Sequence, residues 1–280
     1  MLLFESPGAL REQLSAWRRS NQTLALVPTM GCLHAGHMLL VERARATAER
    51  VVVSLFVNPT QFAAGEDYER YPRTFAEDSQ LLREAGVDAL FAPSVDAMYP
   101  PHHATTVSVR GLSDLYCGAF RPGHFQGVAT VVNMLFNLIQ PDYALFGEKD
   151  YQQWHIIRRM VEDLLLPVQI IPVPTVREAD GLALSSRNRY LTAEQRAIAP
   201  RLYQTLCEAR HTIVAGMRDY PALAAQYQEK LRNHGLQPDY FAIARRSDLL
   251  PATPCDTQLV LLTAARLGET RLIDNLQVDI

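Results

Sequence analysis

The sequence is poor in cysteine, and its four (Cys32, Cys117, Cys207 and Cys255) stand far apart with no CxxC pair. That excludes a disulfide scaffold and a close-paired structural zinc site, so no metal ligand set is assigned, and it predicts free thiols in a reducing cytoplasm. Long apolar runs are missing too. The most apolar stretch, 128–139, is interrupted by Asn133 and Asn137 and is too short to span a bilayer, so no membrane partner is expected. The first residues hold no basic region and meet Glu5 almost at once, which argues against a secretory leader. Charge of one sign is also lacking. The 27 Lys and Arg stand against 30 Asp and Glu, a formal net charge of −3, whereas a dedicated nucleic-acid binder carries a basic excess. There is no Walker A ending and no GxGxxG fingerprint, which argues against a P-loop NTPase and a dinucleotide-dependent dehydrogenase. What is present is 280 residues, 48% hydrophobic, enough for one large domain or a domain and a half with a substantial core.

Residues 23–28 form a short buried run closed by Pro28, and 37–50 carry Val41, Ala44 and Ala48 among charged residues at helical spacing. The β-branched run 51–57 stops at Asn58-Pro59 and suits a strand buried on both faces. Strand, helix, strand with short joints is a βαβ unit, hence a parallel sheet. The alternation continues through a helix over 75–85, a strand over 88–92, a helix over 125–139, a strand over 143–147, a helix over about 150–165 and a strand over 168–173. The order predicts an α/β fold, a Rossmann-like doubly wound parallel sheet over residues 1–175. After a loop at 174–190, Thr192 with Gln195 signals a capping box for a helix through about Val214, and Pro221 suits the first turn of another. Strands near 239–244, 258–264 and 270–274 complete a smaller C-terminal α+β domain over 176–280.

The segment Pro28-Thr29-Met30-Gly31-Cys32-Leu33-His34-Ala35-Gly36-His37 closes the first of these strands and opens the helix after it. Ligands of open parallel sheets bind just outside the carboxyl ends of strands, and a helix N-terminus there offers free N–H groups and a positive dipole end to an anion. Gly31 and Gly36 allow backbone and ligand to approach closely. His34 and His37, on one side of the first turn, can each donate to a phosphate oxygen. Two histidines alone are most often ordinary surface or core imidazoles; their position and flanking glycines favour nucleotide phosphates.

His34-Ala35-Gly36-His37 resembles the HxGH signature of the nucleotidyltransferase superfamily. PTMGxLHxGH, FVNPTQF (56–62), GEDYERYPRT (65–74), RPGHFQGV (121–128), FGEKDYQQ (146–153), LSSRNRYL (184–191) and RLGETRLIDN (266–275) follow in order, and together they resemble the pantothenate synthetase family, the ATP-dependent pantoate–β-alanine ligases. The resemblance covers essentially the whole chain. It implies that (R)-pantoate and β-alanine are joined through a pantoyl adenylate, with ATP as substrate accompanied by Mg²⁺ held mostly by phosphate oxygens and water. It marks His37 as catalytic proton donor and His34, Lys149 and Arg187 as its catalytic companions. It assigns ATP to Met30, Gly31, His34, Gly36, His37, Gly147, Glu148, Lys149, Asp150, Val176, Leu184, Ser185, Ser186 and Arg187, with 184–187 in the part of the superfamily's KMSKS loop and the smaller domain as a lid. Gln61 and Gln153 fall to pantoate, whose hydroxyls and carboxylate suit an amide that both donates and accepts. Met30, Phe56, Phe62 and Val132 could wall its gem-dimethyl group, although core packing is their default role. A homodimer built through the large domain is also implied.

Other residues carry less. His102-His103 suit a surface loop, and His124 has no role assigned. Glu77 and Asp78 could be outer Mg²⁺ ligands, although a solvated helix face suits them better. The chain departs from the family pattern at Cys32 (often Ala), Ala35 (often acidic), Leu184 (often Met) and over 245–250, without losing a phosphate ligand. Two other readings keep the residues and change the function: a nucleotidyltransferase for another small acid, and a nucleotide-responsive module without catalysis. A tRNA-dependent synthetase lacks both a basic stripe and the length for an anticodon domain.

Overall fold

A computed structural model describes residues 1–280. In chain order it contains β1 (Leu2–Phe4), α1 (Pro7–Arg19), β2 (Leu24–Thr29), α2 (Ala35–Thr47), β3 (Arg50–Leu55), α3 (Phe75–Glu84), β4 (Ala89–Phe91), α4 (Val95–Met98), α5 (Cys117–Phe120), α6 (His124–Ile139), β5 (Tyr143–Gly147), α7 (Tyr151–Asp163) and β6 (Gln169–Val173). It continues with α8 (Ala193–Ile198), α9 (Arg201–Val214), α10 (Tyr220–Asn233), β7 (Gln237–Arg245), β8 (Gln258–Leu267) and β9 (Thr270–Asp279). Two compact units result. The first holds Met1–Ser113, Arg121–Glu148 and Gln153–Pro174; the second holds Asp114–Phe120, Lys149–Gln152 and Thr175–Ile280.

The first unit is built on a six-stranded parallel sheet in the order β1-β4-β3-β2-β5-β6. The order reverses at β2, which has β3 on one side and β5 on the other. The carboxyl ends of these strands therefore flank the crevice where open α/β sheets take ligands. Both faces of the sheet are covered, which is why its central strands β2 and β3 are mostly apolar and do not alternate apolar with polar residues. Ala25, Val27, Val51 and Val53 pack with Leu40, Val41 and Ala44 of α2 and Leu82 of α3. On the opposite face Phe146 meets Phe136 of α6, and α1 lies against α6.

The first twenty residues carry structure that the sequence reading did not assign. β1 adds to β4 at the sheet edge. α1 begins at Pro7 with the Ser6 hydroxyl accepting from Ala9 N–H at 3.4 Å, and it buries Leu10, Leu14 and Trp17. A Ser-Pro helix start and apolar groups spaced four and three apart were the available signals.

The second unit has an antiparallel sheet, β7-β8-β9. Its inner face, with Phe241 and Leu261, packs on Leu202 and Leu206 of α9 and Leu223 and Leu231 of α10. The expected long helix from Thr192 is two helices. The capping box forms, but α8 ends at Ile198 and α9 starts after Pro200, whose missing N–H and ring clash stop a continuous helix. The last strand runs on to Asp279, five residues past its expected end, because it pairs with β8 along its whole length.

Candidate active site

β2 ends at Thr29 and the chain turns at once. Gly31 and Cys32 both take left-handed backbone angles, φ 86° and 53°. Glycine adopts that region freely, whereas cysteine needs outside support. The support comes from Asp78 on α3. Its two carboxylate oxygens accept the N–H groups of Cys32 and Leu33, each at 2.8 Å, and Thr74 donates its hydroxyl at 3.1 Å. A Cβ on Gly31 would lie 3.0 Å from the same carboxylate, so glycine also makes room for it. Asp78 is only 2% exposed. Neither sequence expectation for it survives: it is not on a solvated face, and its oxygens are taken by the loop instead of facing a metal ion. Glu77 beside it is exposed.

The turn delivers His34 as the N-cap of α2. Its Nδ1 accepts from Gly36 N–H at 3.1 Å, and Nδ1 of His37 accepts from His34 N–H at 3.3 Å. Two histidines thus form a reciprocal capping box, with ring centroids 4.1 Å apart. A ring nitrogen that accepts from a backbone N–H carries no proton, so each neutral ring bears its proton on Nε2. The first turn of α2 holds no acidic side chain, Ala35 standing at its first position, so the positive helix end is left for an external anion.

After β3 the chain enters the 3₁₀ turn Pro59–Gln61. Gln61 is buried; its Nε2 contacts Met30 Sδ at 3.1 Å and its Oε1 accepts from Asn58 Nδ2 at 3.1 Å. Asn58 also donates to Gly127 O at 3.1 Å and accepts from Tyr99 OH at 2.8 Å and Thr60 Oγ1 at 2.9 Å. Gly127 of α6 lies so close that a Cβ there would be 2.3 Å from Thr60 O. Arg121 grips Glu66 with two nitrogens at 2.6 Å, and His124 Nδ1 lies 2.8 Å from Gln61 O. Burial opposes ionisation of Glu66, but the bonds from Arg121 outweigh it and hold the carboxyl below its usual range. Met30, Gly31, His34, Gly36, His37 and Gln61 are thus brought to the carboxyl ends of β2 and β3, and Gly147 and Glu148 lie at the carboxyl end of β5. Phe56 and Val132 are buried and Phe62 packs on Tyr68 and Tyr71. Gln153 is half-buried in the first turn of α7.

In the second unit, Lys149 and Asp150 finish the 3₁₀ turn Glu148–Asp150. Lys149 and Lys230 are the only lysines in a chain that otherwise uses arginine, a signal the sequence reading passed over. Lys230 pairs with Glu208 on the surface. Asn275 Nδ2 donates to Lys149 O at 3.0 Å, and the neighbouring Asp274 takes Arg177 in a fork at 2.6 and 2.9 Å. Arg177 stacks over Tyr203, its guanidinium 3.6 Å from the ring centre. Val176 and Leu184 meet where Leu184 N–H donates to Val176 O at 2.9 Å, across a tight return at Asp180-Gly181. Ser185 then caps the 3₁₀ turn Ser186–Tyr190, accepting from Arg187 N–H at 3.3 Å; Ser186 is buried and Arg187 half-buried.

Sequence reading missed the supporting residues: Asp78, Asn58, Arg121, His124, Arg177, Asp274 and Asn275. Most lay inside the quoted motifs, but their partners are distant in sequence. No group of three or more His, Cys, Asp or Glu is placed to hold a metal ion, no two cysteines form a disulfide, and no helix is long and apolar enough to cross a membrane.

A parallel α/β sheet with a histidine-capped, acid-free helix start at its switch point, carrying an HxGH step, is the arrangement expected of an anion-binding α/β protein. Residues 2–277 match the Pantoate-beta-alanine ligase family model, and the chain belongs to that family. Its curated relatives include a pantothenate synthetase of Pseudomonas fluorescens, 55% identical over 97% of this chain and 96% of its own length, and one of Azotobacter vinelandii, 54% identical over the full length of both. Pantothenate synthetase from Thermus thermophilus superposes with a TM-score of 0.94 at 50% identity, with both chains fully covered. A pantoate-beta-alanine ligase from Francisella tularensis, solved with beta-gamma ATP and beta-alanine, gives 0.84 at 32% identity, covering 99% of this chain and 97% of its own.

Two expectations follow. Asp78→Asn turns an amide N–H toward the loop and destabilises the protein by about 1–3 kcal/mol in urea unfolding; unchanged stability contradicts the clamp. Because the Glu66 carboxyl is held low, its stabilisation is present above the ordinary glutamate value and is lost as pH falls through the lowered one. Glu66→Gln should therefore melt below wild type at neutral pH, with the gap closing as pH falls below the ordinary glutamate value and through the lowered one; a pH-independent gap contradicts the ion pair.

Proposed function

We propose that this chain condenses (R)-pantoate with β-alanine at the expense of ATP, through a pantoyl adenylate. In the first half-reaction a pantoate carboxylate oxygen attacks the α-phosphorus and the bond to diphosphate breaks. In the second, the amine of β-alanine attacks the acyl carbon, the bond to AMP breaks and the amine gives up a proton. Family membership supports the reaction. The observation that carries the site assignment is the reciprocal histidine cap of α2.

Negative charge grows on the α-phosphate and on the departing diphosphate. Fixed donors aimed at that charge are the main catalytic device available, because they need no reorganisation when the charge appears. His34 and His37 serve as Nε2–H donors beside the N–H groups at the start of α2. Lys149 supplies a compact positive charge and Arg187 a planar fork for phosphate oxygens. Gly31, Gly36, Gly147, Glu148, Asp150, Val176, Leu184, Ser185 and Ser186 complete the ATP contacts, and Gln61 and Gln153 take pantoate. ATP brings its own Mg²⁺, held mostly by phosphate oxygens and water. Free cysteines suit a cytoplasmic enzyme, and the family resemblance suggests a homodimer.

The test is diphosphate release from Mg·ATP. Release should require pantoate and become steady turnover only when β-alanine is added. His37→Ala should cut the pantoate-dependent release by about 10²–10³-fold while the protein stays folded. No release with pantoate, despite ATP binding, overturns the substrate assignment; full turnover in the His37 variant removes that residue from the chemistry.

A further inference from the structure

We propose that His124 is a positioning residue for pantoate. Held by Arg121 and Glu66, it fixes the backbone of Gln61 and so aims an amide that it does not itself touch. The proposal rests on the assignment of Gln61 to pantoate made above.

The order of donors settles the arrangement. A guanidinium can only donate. Glu66 takes two of its nitrogens, and the third, Arg121 Nη1, lies 3.0 Å from His124 Nε2. Nε2 must therefore accept, which leaves the imidazole proton on Nδ1, and that nitrogen lies 2.8 Å from Gln61 O. The same carbonyl accepts from Arg121 Nη2 at 3.4 Å. Carboxylate, guanidinium, imidazole and carbonyl thus form a chain of one polarity, with His124 8% and Gln61 9% exposed. This histidine has the opposite tautomer to His34 and His37.

The geometry explains why a side chain is needed there. Gln61 ends a single 3₁₀ turn, so its carbonyl has no continuing helix to bond with and is buried away from water. His124 meets that requirement from the first turn of α6, and the missing side chain at Gly127 lets α6 come close enough. With its main chain held, the Gln61 amide is oriented by Asn58 on its oxygen and Met30 on its nitrogen. Losing the imidazole frees the turn to rotate, and the cost falls on the ligand that Gln61 grips. The ATP contacts assigned at the start of α2 are anchored separately, by Asp78.

The experiment is steady-state kinetics on the full chain with pantoate and ATP varied separately, alongside melting curves. His124→Ala should raise the pantoate KM about tenfold and leave the ATP KM within about twofold, the loss of one buried hydrogen bond. His124→Asn, whose amide nitrogen reaches the place of Nδ1, should restore the pantoate KM. Adding His124→Ala to Gln61→Ala should raise the pantoate KM no further than Gln61→Ala alone. If His124→Ala does not fold, His124→Gln takes its place, since its amide extends past Nδ1 and cannot reach the carbonyl. Equal rises in both KM values, or failure of His124→Asn to restore, overturn the proposal as mere fold damage. An unchanged pantoate KM in the His124 variant beside a raised one in Gln61→Ala overturns the positioning role and leaves Gln61 in place. An unchanged pantoate KM in Gln61→Ala itself removes both.

Discussion

The buried carboxylate of Asp78, spread across the N–H groups of Cys32 and Leu33, decides where α2 begins and what its first turn presents. A loop that leaves a strand through two left-handed residues has backbone donors with no strand or helix to satisfy them. One carboxylate from α3 satisfies a pair of them and holds Cys32 in a conformation that it would otherwise avoid. With the loop fixed, His34 falls at the N-cap and His37 one turn on. Each ring then accepts a main-chain N–H of the cap on its Nδ1, His34 from Gly36 and His37 from His34. The tautomer of both histidines is thus a consequence of how the helix starts. The same geometry that stabilises α2 fixes the proton of both rings on Nε2, which the proposed donor role requires.

Other functional loops follow the same logic. In three of the loops that carry candidate ligands, a main-chain carbonyl is claimed by a side chain of the same unit. Gln61 O meets His124, Lys149 O meets Asn275, and Ala183 O meets Asn188, each at 2.8–3.1 Å. Loops at the carboxyl ends of parallel strands cannot rely on a ladder or a helix for these groups, so local precision has to come from such clamps. The buried pair Arg177–Asp274 sits next to two of these segments, beside Val176 and Asn275, and removing either partner would leave a charge without compensation.

The sheet and the helix start at its switch point were legible in the sequence because both depend on local pattern. Runs such as 51–53 are apolar because the sheet is covered on both faces, and His34 to His37 stands where β2 gives way to the start of α2. Asp78 was not legible. From α3 alone its neighbours Glu77 and Asp78 look alike, and only the fold separates the exposed one from the one turned under the β2 loop. His124 was unassigned for the same reason: its partner carbonyl is 63 residues away. The Ser6-Pro7 start of α1 is a local signal, but β1 depends on its pairing with β4, and the capping box at Thr192 starts a helix without saying that Pro200 ends it.

The central claim is that His34 and His37 stand as neutral imidazoles with the proton on Nε2. Nitrogen-15 NMR of imidazole-labelled protein near pH 7.5, assigned with His34→Gln and His37→Gln, tests it most directly. The account predicts, for both rings, an unprotonated Nδ1 and a protonated Nε2 before ATP is added. An imidazolium, or a proton on Nδ1 of either ring, would contradict the reciprocal cap and the donor role built on it.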